Sequence, residues 1–414
     1  MHVVIIGGGI GGLSAAAALS SSCKKITIYE KDSPPCATHV RRYAPQGAHI
    51  HILLQAGLNM LDTLLPGFKE QLIEGGSAEI NAGLGQQIFE YGAWRPTRHL
   101  DMTYLGQSRL HTESLLYQRI SKLHNVDIVK KAVDQVHISA TNQVAGVSLR
   151  GSSTVEKADI VIDASGASGY FVNALVKQGA LEITESKTPI NIFYSTIHFK
   201  KPSKYIDSKE NILIVPEAGV SNLGGSLLDI ENDTWCISLH GRDGEDIPDT
   251  IEQWQEAIKS LPDSRIWERL RDATPLTEIQ YFKKSDAIWR RFDQSESLPL
   301  GYLPIGDTIN SLNPIFGQGM TVTIGHAMAL CETVNECGLK NDMEFSKAYV
   351  NRASEWTLKA WKKTTSFDKN FYSKTRKDKK RIDLIRQLTM AQHNKIRESE
   401  DYHLTLVRDT QMLT

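Results

Sequence analysis

The chain is poor in the features that mark several protein classes. Its five cysteines (Cys23, Cys36, Cys236, Cys331, Cys337) are scattered, odd in number and form no Cys-x-x-Cys pair. That spacing argues against a disulfide scaffold or a structural zinc site and fits a reducing, cytoplasmic setting. Aromatic residues make up only 7% of the chain, and no basic stripe runs among them, so a stacking surface for nucleic acid is missing. Formal net charge is -1, which leaves no global field to draw the chain to a polyanion or an anionic membrane. No apolar run approaches the ~20 residues that span a bilayer. Residues 3–19 are apolar and small, but they lack a basic leader and are broken by glycines, unlike a secretory signal. A Gly-Lys-Ser/Thr P-loop and a nucleophile elbow are both absent, which removes NTPase and hydrolase readings. No His/Cys/Asp/Glu cluster has metal-ligand spacing, so no metal is expected.

What is present fits an ordinary enzyme: 414 residues, 41% hydrophobic and 23% charged, enough for two interleaved lobes around a large core. Residues 2–6 form a short apolar run that ends at glycines, as a buried parallel strand does. Residues 10–22 are rich in Ala, Leu and Ser, and residues 25–30 alternate and are β-branched. Together they predict a βαβ unit with Gly7-Gly8-Gly9-Ile10-Gly11-Gly12 at its turn. Gly7 permits the tight turn, Gly9 lets backbone approach a pyrophosphate, and Gly12 permits close helix–strand packing. The helix dipole faces the phosphates, and Glu30 ends the second strand where an acid accepts from ribose hydroxyls. Candidate nucleotide contacts are therefore Gly7, Gly9, Gly11, Gly12, Glu30 and its neighbour Lys31. This fingerprint alone does not separate FAD from NAD.

Further along, helices are expected over residues 52–65, 113–124 and 320–337, and strands over 126–130, 143–149, 158–162 and 302–305. Residues 187–292 change character: 190–199, 211–215, 225–230 and 234–240 alternate like antiparallel strands, with Glu231-Asn232-Asp233 as a hairpin tip. Residues 343–414 read as helical and charged. The basic stretch from Lys374 to Arg381, followed by Ile382, Leu384, Ile385 and Leu388, fits a solvated helix packed on the body, with a membrane-facing helix as the alternative.

A second segment, Leu303-Pro304-Ile305-Gly306-Asp307 followed by Asn313-Pro314-Ile315-Phe316-Gly317-Gln318-Gly319-Met320, resembles the Gly-Asp motif of FAD-dependent monooxygenases of the para-hydroxybenzoate hydroxylase superfamily. The resemblance implies that Asp307 binds the ribityl chain and that Pro314, Gly317, Gly319 and Met320 lie along the flavin ring. Asp163-Ala164-Ser165-Gly166 resembles the superfamily's Asp-Gly motif with alanine in place of glycine, which adds Asp163 and Gly166 to the cofactor set. Arg109, just before a helix, matches an arginine used on the cofactor phosphates, with a plain salt bridge as the alternative. Arg41-Arg42-Tyr43-Ala44-Pro45-Gln46 and His49-Ile50-His51-Ile52-Leu53, with Trp289-Arg290-Arg291-Phe292-Asp293, are similar to a bacterial epoxidase-like subgroup related to squalene epoxidase. In that subgroup Arg41 is the better match for the flavin-contacting arginine. For His49 and His51 a place near the flavin and a structural one stay equally open.

The resemblance implies an α/β fold: a Rossmann-like FAD-binding domain from residues 1–77, 108–186 and 293–340, an interleaved antiparallel-sheet substrate domain from 78–107 and 187–292, and a C-terminal helical region over 341–414. It also implies chemistry. NAD(P)H, or a separate flavin reductase, reduces FAD; O2 adds at the flavin C4a; the hydroperoxide passes one oxygen to an apolar alkene or an aromatic ring. No catalytic side chain is assigned. The competing readings are an FAD-dependent reductase or dehydrogenase of an isoprenoid-like substrate, a flavin halogenase and a non-enzymatic flavin redox sensor. The halogenase Trp-x-Trp-x-x-Pro signature is missing; Trp94-Arg95-Pro96 does not fit it.

Overall fold

The computed structural model describes residues 1–242, 246–373 and 375–414. A five-stranded parallel sheet runs Tyr302–Pro304, Ile160–Asp163, His2–Ile6, Lys25–Glu30, Val126–Lys130. Val3, Val4 and Ile5 are fully buried at its centre, as a strand covered on both faces requires. The Ala-rich helix Ile10–Leu19 is buried along nearly its whole length. Small side chains let it lie close to the sheet on one side and to the helix Gly319–Cys337 on the other. Register places Ile6, Tyr29, Asp163 and Pro304 level with one another. The turns that follow the central strands therefore open at one carboxyl-end rim, where open α/β sheets bind ligands.

A second, nine-stranded sheet is ordered Asn310–Ser311, Gln280–Arg290, Glu185–Lys200, Thr234–Gly241, Leu223–Ile230, Asn211–Ile214, Gln86–Glu90, Ala93–Trp94, with Thr274–Pro275 pairing Glu185–Lys200 from the side. The hairpin at 231–233 is present as a three-residue loop between the paired Ile230 and Thr234, and Asn232 and Asp233 both have positive φ, which Asn and Asp adopt more readily than most residues. The sheet is antiparallel as expected apart from one pair, since Asn211–Ile214 pairs Gln86–Glu90 in parallel. Period-two alternation gives the sheet two faces. One carries Ile197, Phe199, Trp235, Ile237 and Leu239 against Trp254, Ile258, Ile266 and Leu270. Those last four come from helices Ile251–Lys259 and Arg265–Leu270, neither of which the alternating pattern foretold. Thr250 caps the first, accepting from Gln253 N at 3.2 Å. The other face carries Tyr194, Thr196, Ser238 and His240.

Two further expectations need correction. The helix placed at 113–124 is Arg109–Ile120, because the Ser108 hydroxyl caps it by accepting from His111 N at 3.0 Å. Arg109 is thus inside the helix. The basic stretch near 374–381 is not one helix: residues 375–377 are a turn and the helix Lys379–Glu398 starts at its Asp378 cap, while Lys374 lies outside the described residues. Leu384 and Leu388 of that helix are exposed. Among the described residues, no helix is long and apolar enough to cross a membrane.

Candidate cofactor site

Glycines 7, 9 and 12 serve different ends. Gly7 has φ +103, and a Cβ there would lie 2.5 Å from the Ala164 carbonyl oxygen. At Gly12 a Cβ would meet the Gly7 oxygen at 1.9 Å. Both are packing glycines. Gly9 differs: the nearest atom to its Cβ position is Arg41 Nη2, at 3.8 Å. Gly9 opens the helix Ile10–Leu19 with no side-chain cap, so that helix presents uncapped N–H groups to the same space. Gly11 faces Thr323 Cγ2 at 3.3 Å and belongs to the helix–helix contact.

Around this turn four charged side chains are linked. Gly8 N donates to Glu30 Oε2 at 2.7 Å. Arg41 reaches Glu30 Oε2 at 3.4 Å and Glu113 Oε2 at 2.7 Å, and Arg109 Nε donates to Glu113 Oε1 at 2.9 Å. Burial pushes the Glu113 carboxyl up, but Arg109 and Arg41 outweigh it and the net shift is down. Glu113 escaped the sequence reading. Its signal was the i,i+4 pair Arg109…Glu113 on a helix face that also holds buried Leu116 and Ile120. Lys31 stands apart, exposed, with its ammonium 4.4 Å from the centre of the Tyr43 ring. His51 is half-buried beside the cluster; burial first and the Arg109 charge second take its pKa to about 3. His49 goes the other way, its Nδ1 2.7 Å from Thr196 Oγ1 on the large sheet.

The second motif forms a turn immediately after the strand Tyr302–Pro304. Gly306 has φ +64 and donates its N–H to His326 Nδ1 at 3.1 Å, while His326 Nε2 lies 3.0 Å from Thr357 Oγ1. An accepting Nδ1 assigns the ring as neutral with its proton on Nε2, and burial lowers its pKa to about 3. Arg290 pins the turn from the other side, donating to the carbonyls of Thr308 at 3.0 Å, Asp307 at 3.3 Å and Ala167 at 3.0 Å. The Trp289–Asp293 run therefore sews the large sheet to the Gly-Asp turn. The Asp307 carboxylate is half-buried and accepts no hydrogen bond from the described residues.

Asp163 behaves differently from Asp307. It is fully buried and accepts from Ser165 N at 2.9 Å, Tyr302 Oη at 2.5 Å and Thr308 Oγ1 at 3.4 Å. Burial raises its pKa against those bonds. Its carboxylate clasps strand to turn and presents nothing to the rim. Gly166, with φ +92, donates to Thr308 Oγ1 at 3.3 Å. Pro314–Phe316 is a short 3-10 turn capped by Asn313, which accepts from Ile315 N at 3.1 Å. Gly317 follows with φ +64, and a Cβ at Gly319 would meet nothing within 4 Å. Met320 is buried in the core.

The structure thus assembles two open backbone sites, Gly9 and Gly319, each at the start of a long helix, with arginines near one and an unfilled carboxylate near the other. This defines a dinucleotide-binding α/β protein, and the donor set fits FAD, whose pyrophosphate is anionic and whose ring is planar. The FAD binding domain family matches residues 1–353, and the chain belongs to that family. It is 29% identical to Protein Rv3254 of Mycobacterium tuberculosis over 392 residues, 90% of this chain and 81% of that one. Two solved structures share the fold. The flavin-dependent brominase Bmp2 has TM-score 0.69 at 15% identity, covering 99% of this chain and 94% of its own. 2-Methyl-3-hydroxypyridine-5-carboxylic acid oxygenase has TM-score 0.65 at 15% identity, covering 91% and 93%.

Proposed function

We propose that this protein is an FAD-dependent monooxygenase that places one atom of O2 into an apolar or aromatic small molecule, by epoxidation or hydroxylation. The observation that carries this reading is an apolar cluster on the large sheet beside the loop that follows the Gly-Asp turn. Ile315, in the loop after the Gly-Asp turn, packs against buried Ile190, Ile192, Tyr194 and Ala287 of the large sheet. A dry compartment beside a flavin favours oxygen transfer, because water would discharge the reactive species unproductively.

FAD supplies the redox and oxygen chemistry when bound; the chain binds, orients and excludes water. In this reading Gly9 and the Ile10–Leu19 N-terminus take the pyrophosphate, Glu30 the adenosine ribose, and Arg41 and Arg109 the phosphate charge. Asp307 takes the ribityl hydroxyls, and Pro314, Gly317 and Gly319 line the ring. The electron donor is NAD(P)H, bound transiently, or a separate reductase, because the sequence carries one dinucleotide fingerprint. The epoxidase-like segment 41–53 supports the alkene branch of the reaction, in a cytoplasmic setting.

The test is to reduce the FAD-loaded protein without air and mix it with isotopically labelled O2 and a panel of alkenes and phenols. One labelled oxygen atom per product molecule supports the reading. Recovery of all the oxygen as hydrogen peroxide across the panel sinks it. Bromide in the same assay separates the brominase alternative. Trp94, in the local segment set against the halogenase signature, donates to Asp263 at 2.8 Å, and Arg265 lies 3.6 Å from its ring centre.

A further inference from the structure

Beyond that apolar cluster, the large sheet holds a group of buried polar atoms with no partner. Tyr194 and His240 are cross-strand neighbours on adjacent strands, with ring centres 5.8 Å apart. The Tyr194 hydroxyl and both His240 ring nitrogens make no hydrogen bond, although His240 is 1% exposed. Two residues on, Arg242 donates to Asp368 Oδ1 at 2.6 Å. Asn313, the cap of the loop assigned to the flavin ring, donates to that same oxygen at 2.6 Å. The other Asp368 oxygen, Oδ2, is buried and unpartnered. Phe371 backs the Arg242 guanidinium at 4.1 Å. One orphaned buried polar group is costly and uncommon. Several at one place, tied to the flavin loop through Asn313, mark a place for ligand.

The charge balance says what kind. Arg242 is already matched by Asp368 at contact distance. Lys284, a second buried cation of this region, is turned to the flavin loop, where it donates to Ser311 Oγ at 2.5 Å and the Leu312 carbonyl at 2.7 Å. Burial keeps His240 neutral, with a pKa of about 3, so it brings no positive charge. Among the described residues no cation contacts Asp368 Oδ2, so a carboxylate ligand beside it would meet an unanswered negative charge. A hydroxyl or N–H would give Oδ2 the donor it lacks, and Tyr194 and His240 offer both a donor and an acceptor.

We propose that Tyr194, His240 and Asp368 form the substrate head-group site, and that it takes a neutral, flat molecule bearing a hydroxyl or N–H donor and rejects carboxylates. This rests on the reading of the Pro314–Gly319 loop as the flavin-ring loop. The test needs neither oxygen nor reductant, so it stands apart from the oxygen-transfer assay. Oxidised, FAD-loaded protein is titrated with 2-naphthol and with 2-naphthoate at pH 7, following the visible flavin spectrum. We expect 2-naphthol to bind about tenfold tighter or more. Tyr194→Phe should weaken 2-naphthol about fivefold, the loss of one hydrogen bond, with naphthoate unchanged. Asp368→Asn should bring the two ligands within about threefold by removing the repulsion, a gain in naphthoate binding that misfolding does not mimic. If Asp368→Asn does not fold, His240→Phe takes its place, and equal loss of both ligands there overturns the proposal. So does naphthoate binding as tightly as naphthol to the unsubstituted protein, a ratio unmoved by Asp368→Asn, or no spectral change with 2-naphthol.

Discussion

At the carboxyl rim of the parallel sheet, Glu30, Arg41, Arg109 and Glu113 are joined by ion pairs and hold charge in place. Across from it, on the face of the nine-stranded sheet, Tyr194, His49 and His240 are buried and neutral, and burial drives the two histidines to about 4 and about 3. The first region gathers two arginines whose charge Glu113 balances, which on the proposed reading suits an anionic phosphate. The second keeps its histidines neutral and holds the buried pair Arg242–Asp368 at contact distance. On the proposed reading, the difference divides a flavin reaction between two kinds of physics: cofactor retention at one end, and a low-dielectric compartment at the other.

The sharpest way to break this comparison is Glu113→Gln. It leaves buried Arg41 and half-buried Arg109 without their shared counter-charge, and breaking a buried pair from one side costs about 3–5 kcal/mol. Cofactor-free protein should show the loss in full by chemical denaturation. Adding FAD should restore most of it, because phosphate replaces the missing charge. A loss equal in size with and without FAD would show that the arginines do not face phosphate.

Next in size is Gly12→Ala. Its Cβ would fall 1.9 Å from the Gly7 carbonyl oxygen, backbone against backbone, which relief by side-chain motion cannot mend. A loss on the order of 3 kcal/mol is expected, with flavin content falling alongside, read by denaturation and by absorbance of the purified protein.

Buried neutral histidines, one on the sheet face and one behind the Gly-Asp turn, have their own signature in pH. Unfolded, His240 and His326 take up a proton below their ordinary value of 6.5; folded, neither does until about pH 3. Between those limits the unfolded chain binds more protons, so stability rises with pH and is lost as pH falls from 6.5. Each fully buried histidine contributes up to about 1.4 kcal/mol per pH unit in that window. Urea denaturation between pH 7 and pH 5 measures the slope, and His326→Gln should reduce it by about one proton. An unchanged slope in that variant would mean that His326 is protonated in the fold.

The two regions also differ in how far the sequence exposes them. Gly7, Gly12 and Gly306 sit where a positive φ or a close approach admits almost nothing else, and each lies in one short window with its strand and helix. Such demands leave a contiguous trace, so the βαβ unit and the Gly-Asp turn could be read directly. Glu113 was half-visible, through its spacing from Arg109. The sheet face was not visible, because Tyr194, His240 and Asp368 meet from two strands and the helix Met343–Tyr372, and no local pattern links them. Its one trace was polar residues, Thr196, Ser238 and His240, at alternating positions of otherwise apolar strands. Asp163 is a contrasting case: a motif resemblance put it in the cofactor set, and the fold holds its carboxylate against Tyr302 and Thr308, a contact that depends on a strand 139 positions away.

The smallest effect on stability should separate the two uses of glycine most cleanly. Gly319 opens the helix Gly319–Cys337, and its Cβ position meets nothing within 4 Å, so Gly319→Ala adds a methyl group to open space. In the absence of cofactor the variant should match the parent within about 1 kcal/mol, or gain slightly from alanine's higher helix propensity. In the presence of FAD it should bind more weakly, because the methyl group stands where bare backbone is reserved for the ring. Asp307→Ala should do the same by another route, removing a carboxylate that accepts no hydrogen bond from the described residues. Calorimetric titration of the cofactor-free variants with FAD, set beside their denaturation curves, reads both quantities. Gly319→Ala with unchanged stability and unchanged FAD affinity would show that this helix start faces solvent rather than cofactor. The flavin ring would then have to be sought elsewhere along the rim, and the neutral sheet face would lose its link to it through Asn313.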